Sequence, residues 1–330
     1  VFCHSGLHAE GAADVTVDSR NWFCPPTVPV AGAAKFDIAV DVATLQALPP
    51  APVNAAFNSN VPSDDGDPLD VACPGGNAVC LTFDNIAISL LDTVRVTIAL
   101  EFDATAPRSS DAPVYILVRQ MRAPRTILQL SVYTSPAGTR SLDFVRVRII
   151  DSTVNVIDMG DGVGKMSDAS LAVDRSTLRA AAFGNQVSYR SCVFWFRHSV
   201  INQTGNVLGL TTALKWWPMP DFNRSTIALI NCTCENREGT LVTFTGATLQ
   251  QSAISVLRSS IMSRGTYNGP FSHVDINVAS IIDTSLTVEG SQLITWADGQ
   301  VAGPASVGVR AATSTYGRND VIVRDSTVWC

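Results

Sequence analysis

Val321-Ile322-Val323-Arg324-Asp325-Ser326-Thr327-Val328 is the stretch that decides the fold, because its wording recurs. The pattern is apolar-x-apolar-x, then Asp, Arg or Asn, then Ser, Thr or Cys, then Thr or Ser, then an apolar residue. Val147–Val154, Leu171–Leu178, Ile227–Cys234 and Ile254–Ile261 repeat it. Looser copies surround Asp18-Ser19, Asp92-Thr93, Arg190-Ser191 and Asp283-Thr284-Ser285-Leu286. Alternation rich in β-branched residues spells strand, and no segment carries a 3.6-residue apolar stripe of useful length.

The phrase also contains a bend. Val321 and Val323 share one face, but Val328 lies an odd number of residues beyond Val323 and would point the other way in a flat strand. A turn at Asp325-Ser326 lets all three face inward, and small polar residues there hydrogen-bond the turning backbone. Anchors fall at 151, 175, 190, 231, 258, 283 and 325, so steps of 24, 27 and 25 recur and 15 plus 41 makes two steps of 28. The last gap, 42, would hold one coil with an insertion. Gly160 and Gly184 each follow an anchor by nine residues, marking a second turn. Repeats of roughly 20 to 50 residues indicate a solenoid, in which each coil buries its apolar side against the next.

The expected fold is therefore all-β, a right-handed parallel β-helix of pectin-lyase-like architecture. The alternative, an antiparallel β-sandwich, also uses many short strands but does not explain repeated wording at a repeated interval. Residues 1–330 are expected to form a single β-helical unit. Within it, 81–330 supply repeat coils and 1–80 an irregular early part or cap, broken by Pro25-Pro26 and Pro49-Pro50-Ala51-Pro52. The four prolines of 101–140 suggest loops projecting from one coil.

Composition agrees with a packed core and narrows the partners. Of 330 residues 46% are apolar and only 16% charged, which excludes a disordered chain. The net charge is 23 − 29 = −6, with no basic block to neutralise a phosphate backbone, so no nucleic-acid partner is expected. No run reaches the ~18 apolar residues of a membrane span. The chain opens at Val1 without an initiator Met or signal segment and stops inside the motif, so it reads as a piece of a longer protein.

Cysteines and sequons point to an oxidising compartment. Eight cysteines suggest disulfides, with Cys73–Cys80 across Pro74-Gly75-Gly76 the easiest bridge and Cys3–Cys24 the next. Cys232 and Cys234, two apart in an extended strand, are too far apart to pair. Asn202, Asn223 and Asn231 each head an acceptor sequon. A cell-surface or extracellular location follows from the two together.

The repeated Asp-Ser-Thr-Val endings, the run from Asn231-Cys232-Thr233-Cys234 to Phe244 and the turn Cys73-Pro74-Gly75-Gly76-Asn77 carry a resemblance. In repeat phrasing the chain resembles the large surface proteins of the trypanosomal dispersed gene family, diffusely over most of residues 80 to 330. The resemblance implies a glycosylated surface protein with adhesin-like β-helical repeats, anchored by membrane segments outside this chain. It implies no catalytic residue.

Chemical motifs were sought position by position. Sugar-bond hydrolysis needs two carboxyls facing one bond, and the adjacent pair Asp64-Asp65 lies in a Pro/Gly-rich loop. Arg122-Ala123-Pro124-Arg125 lacks the spacing of a lyase site. Asp64, Asp65, Asp67 and Asp70 match no complete calcium loop. Asp158 to Met166 resembles a phosphate loop but has Met159 for the first glycine and Met166 for the hydroxyl. No metal or cofactor is expected, and an enzyme cleaving polysaccharide is the rival to a non-catalytic adhesion module. Aromatics give the binding hint: Trp216-Trp217-Pro218 reads as a loop, and Trp195, between Phe194 and Phe196, is expected to face outward. Trp216, Trp217 and Trp195 could stack on sugars or anchor a protein. The expected partners are glycans or extracellular-matrix and cell-surface proteins.

Overall fold

The computed structural model describes residues 3–4, 14–18, 34–41, 79–87, 94–101, 110, 113–133, 141–159, 163–184, 187–203, 214–216, 220–236, 242–265, 272–297, 306–311 and 317–329. Among them every regular element is a β-strand. Every strand pair is parallel, which removes the sandwich and leaves a right-handed parallel β-helix. The strands form a ten-stranded sheet and a twenty-stranded sheet that runs round the other sides of the coils.

One coil shows how sequence becomes shape. Ser170–Asp174 is a five-residue strand of the ten-stranded sheet, with Leu171 and Val173 turned inward. Arg175 then takes φ 42°, a left-handed conformation, and turns the chain out of the strand. Ser176 is buried behind it, and Thr177–Leu178 and Ala180–Phe183 follow as the first and second lanes of the larger sheet. Ser188–Arg190 is the third lane, Ser191 turns left-handed at φ 53°, and Val193–Arg197 begins the next pass through the ten-stranded sheet.

Among the described residues nine strands of the ten-stranded sheet, five or six residues long, end in a left-handed corner, and six of them are also preceded by one. The first column holds Asn85, Gln120, Asp151, Arg175, His198, Asn231, Arg258, Gly290 and Asp325. The second holds Phe144, Asp168, Ser191, Arg224, Gln251 and Asp283. A left-handed L-residue costs roughly 1–2 kcal/mol, and stacking offsets it: the N–H of Asp151 donates to Asp174, and that of Arg175 donates to Arg197, one coil on. The anchors from 151 to 325 are these corner residues, except Arg190, which precedes the corner Ser191. The intervals mixed the two columns, however: 190 and 283 mark the second corner, whereas Asn85, Gln120, His198 and Gly290 are the members of the first that the phrase misses. The gap of 42 is therefore not a coil with an insertion. Residues 259, 291 and 326 step by 32 and then 35.

The residue after most corners is a small Ser, Thr or Cys for a physical reason. The left-handed turn leaves its N–H without a strand partner, and a hydroxyl on the next coil supplies one. Met121 donates to Ser152, Ser152 to Ser176 and Ser176 to Ser199 at 3.0–3.2 Å. Cys232 donates to Ser259, Ser259 to Ser291 and Ser291 to Ser326, each at 3.1 Å. The second corner repeats the device through Cys192, Ser225, Ser252, Thr284 and Asn319. Two hydroxyl ladders therefore run along the solenoid beside its apolar bore.

The bore is filled by Val, Ile and Leu and, midway, by rings. Phe183 stacks on Trp216 of the next coil at 4.3 Å between centroids, and Tyr189 stacks on Phe222 at 4.7 Å. Phe194 meets Phe183, Tyr189 and Trp216 edge-on. Within 1–80, Asp14–Asp18 pairs with Cys80–Asp84 and Ala34–Asp41 pairs with Val94–Glu101, so both strands belong to the solenoid sheets.

Candidate interaction face

The third lane gives the solenoid a continuous polar face. Its strands Ser141–Asp143, Lys165–Ser167, Ser188–Arg190 and Asp221–Asn223 stack in register, followed by Thr248–Gln250. Each middle residue is apolar and buried: Leu142, Met166, Tyr189, Phe222 and Leu249. Period-two alternation directs the flanking residues away from the bore, although Ser167 among them is itself buried. One rail is Ser141, Lys165, Ser188, Asp221 and Thr248; the other is Asp143, Ser167, Arg190, Asn223 and Gln250.

Neighbouring side chains sit ~4.8 Å apart along each rail, so five coils present about 20 Å of hydroxyl, carboxylate, amide and cationic groups. Ser141 donates to Asp143 at 2.8 Å, Lys165 lies 3.8 Å from Asp143, and Asn223 donates to Gln250 at 3.4 Å. Arg190 and Asp221 stand exposed. Donors and acceptors of both signs at a constant interval are the chemistry of contact with an extended polar polymer. Periodicity in three-residue strands was the sequence signal for this face, but single copies are too short to stand out beside the five-residue strands.

The outer face of the ten-stranded sheet is different. Asp174 is buried between Arg148, at 3.0 Å, and Arg197, at 2.6 Å. Trp195 does face outward, as alternation predicts, between Ala172 and Ala228 in register. It is half-buried, with the Arg197 guanidinium 5.8 Å from its ring. Two alanines leave room for the indole to lie across the sheet instead of standing free.

Trp216 corrects the aromatic expectation. It is the last residue of the strand Leu214–Trp216, 0% exposed, with Leu214 also inward and Lys215 outward. The Trp216 ring packs on Phe183 in the bore. It is a core residue with no face for a sugar. Trp217 lies outside the described residues.

The other expectations divide the same way. Asn231 is a left-handed corner residue, Asn223 closes a third-lane strand, and Asn202 lies within the strand Val200–Gln203 with its side-chain oxygen buried and unpartnered. Cys192, Cys232 and Cys234 are free, buried thiols. Burial pushes Cys192 up to about 12 and Cys232 up to about 11, and drives Cys234 well above its ordinary value. Cys3 pairs through its backbone with Phe36, and Cys80 with Tyr115, while Cys24 and Cys73 lie outside the described residues. So do Asp64, Asp65, Asp67 and Asp70. Among the described residues no group of three or more His, Cys, Asp or Glu is placed to hold a metal ion.

No protein-family model, curated protein or solved structure matches the chain.

Proposed function

We propose that the chain is a non-catalytic interaction module of a cell-surface or extracellular glycoprotein, whose third-lane rails engage glycans or matrix and cell-surface proteins. The observation that carries this reading is the register of Lys165, Ser188 and Asp221 beside Arg190 and Asn223. A rigid solenoid fixes these groups at a constant spacing, so weak contacts add along a polymer without ordering cost in the protein. The repeat phrasing shared with trypanosomal dispersed gene family surface proteins supports the same reading.

The test is retention of the folded, secreted chain on immobilised polysaccharides and matrix proteins, with new chain ends scored in parallel. Retention that falls when Arg190→Ala and Asp221→Ala are combined supports the rails. Retention indifferent to both substitutions removes them as the site. New chain ends would replace the adhesion reading with a polysaccharide-cleaving enzyme, and absence of any retention would leave a structural stalk.

A further inference from the structure

Asn223 carries a chemical option that its rail neighbours lack. It closes the third-lane strand Asp221–Asn223, Arg224 turns left-handed at φ 52°, and Ser225 is the hydroxyl rung that follows. The same three places on the adjoining coils read Arg190-Ser191-Cys192 and Gln250-Gln251-Ser252. Of the three, only Asn223-Arg224-Ser225 is an N-glycan acceptor. The ladder demands the hydroxyl, the rail takes the polar amide, and together they spell the sequon.

Burial separates the moment at which this acceptor can react from the place its glycan then occupies. Ser225 is 2% exposed, and its hydroxyl receives the N–H of Cys192 at 3.1 Å. The same hydroxyl lies within donating reach of the carbonyls of Tyr189 and Asn223, at 3.3 and 3.2 Å. A folded chain therefore hides half of the recognition unit, and transfer has to precede coil stacking. In that step Asn223 Nδ2 bonds to the anomeric carbon of a glycosyl diphosphate donor, the diphosphate leaves and one amide proton is released. In the folded chain Nδ2 lies on the rail and donates to Gln250 at 3.4 Å, so a bulky glycan there projects over the third lane.

We propose that an N-glycan on Asn223, added before folding, covers the third-lane face and shields it from its ligand. Arg190 and Gln250 flank Asn223 one coil to either side, ~4.8 Å away, and Asp221 lies ~6.6 Å back along the same strand. A single sugar ring is as wide as one rung, so the first sugars of a branched glycan overhang all three. The proposal rests on the rails as the interaction face. Glycan occupancy, fixed at synthesis, then controls which copies of the chain bind.

The test compares the chain with Asn223→Gln, both secreted from one glycosylating host so that the sequons at Asn202 and Asn231 are treated alike. Peptide mass mapping should find glycan on Asn223 in folded material. Phenylglyoxal, a dicarbonyl that modifies exposed guanidiniums, should reach Arg190 in Asn223→Gln and lose most of that reaction in the glycosylated chain. Arg122, exposed in the first lane, should react alike in both. On immobilised polysaccharides and matrix proteins the glycosylated chain should be retained about tenfold less than Asn223→Gln. Absence of retention for Asn223→Gln would remove the rails as a binding face, and this proposal with them. A bare Asn223, equal reaction of Arg190 in the two forms, or equal retention would overturn the proposal and leave that face standing.

Discussion

The hydroxyl of Ser176 receives the backbone N–H of Ser152 at 3.1 Å from one coil and donates to the carbonyl of its own Asp174 at 2.7 Å. One buried side chain thus satisfies the N–H that follows the left-handed Asp151 and adds a second donor to the Asp174 carbonyl, which also accepts the N–H of Asp151. Ser176→Ala leaves both without that partner, at an expected cost of about 1–3 kcal/mol. Ser176→Thr keeps the hydroxyl and should cost less. Denaturant melts of the two variants check the order, and equal losses would show that bulk and not the hydroxyl matters.

Asp174 carries a heavier burden. It is the shared partner of Arg148 and Arg197, and all three side chains are nearly inaccessible to water. Removing a buried counter-charge costs about 3–5 kcal/mol, because the guanidiniums stay buried without it. Asp174→Ala should approach that loss, whereas Asp151→Asn, which keeps a residue suited to the left-handed corner and loses only the exposed pair with Arg175, should cost below about 1 kcal/mol. Chemical denaturation of both variants gives the comparison, and similar losses would overturn the distinction.

The repeated phrase made the solenoid legible because its most regular part, strand then corner, is set by local rules. Two valines must alternate and a small hydroxyl must follow a left-handed residue. His198-Ser199 and Gly290-Ser291 obey the same rule, but the corner residue itself faces solvent, so its identity drifts and the pattern loses it. The rails were not legible, since Lys165, Ser188 and Asp221 line up only through coil stacking. Trp216 failed for a related reason: whether its ring faces water depends on Phe183, on the neighbouring strand of the second lane but distant in sequence.

Core placement of Trp216 makes its substitution a stability experiment. Trp216→Ala removes a ring stacked on Phe183 and edge-on to Phe194, an expected loss of about 3–5 kcal/mol. Trp195→Ala, on the outer face, should cost clearly less. Thermal melts followed by circular dichroism decide it, and a Trp195→Ala loss as large as that of Trp216→Ala would show that the outer indole is a packing residue of equal weight.

The sequons separate by position. A glycan on Asn231 leaves the corner outward, where the neighbouring Thr233 is exposed. On Asn202 it would have to leave a side chain whose oxygen is buried. Expression in a glycosylating secretory host, followed by peptide mass mapping, is expected to find glycan at Asn231 and none at Asn202 in folded material. Folded chain glycosylated at Asn202 would overturn the ranking.

Alkaline pH should unfold the bore from within. Burial raises the thiol of Cys192 to about 12 and that of Cys232 to about 11, from 9.0, and lifts Cys234 and Tyr189 well above their ordinary values. These acids stay protonated in the folded chain while the same groups ionise in the unfolded one. Above pH 9.0 the unfolded state therefore binds fewer protons, and stability falls as pH rises. Each thiol should contribute a slope approaching about 1.4 kcal/mol per pH unit between its unfolded and folded values. Below pH 9.0 these groups are protonated in both states and contribute no slope. Replacing Cys192 and Cys232 by Ser, which the ladders already accept at equivalent corners, should flatten the alkaline limb measured by urea melts from pH 8 to 11. An unchanged limb in that double variant would show that the thiols are not the groups that set it.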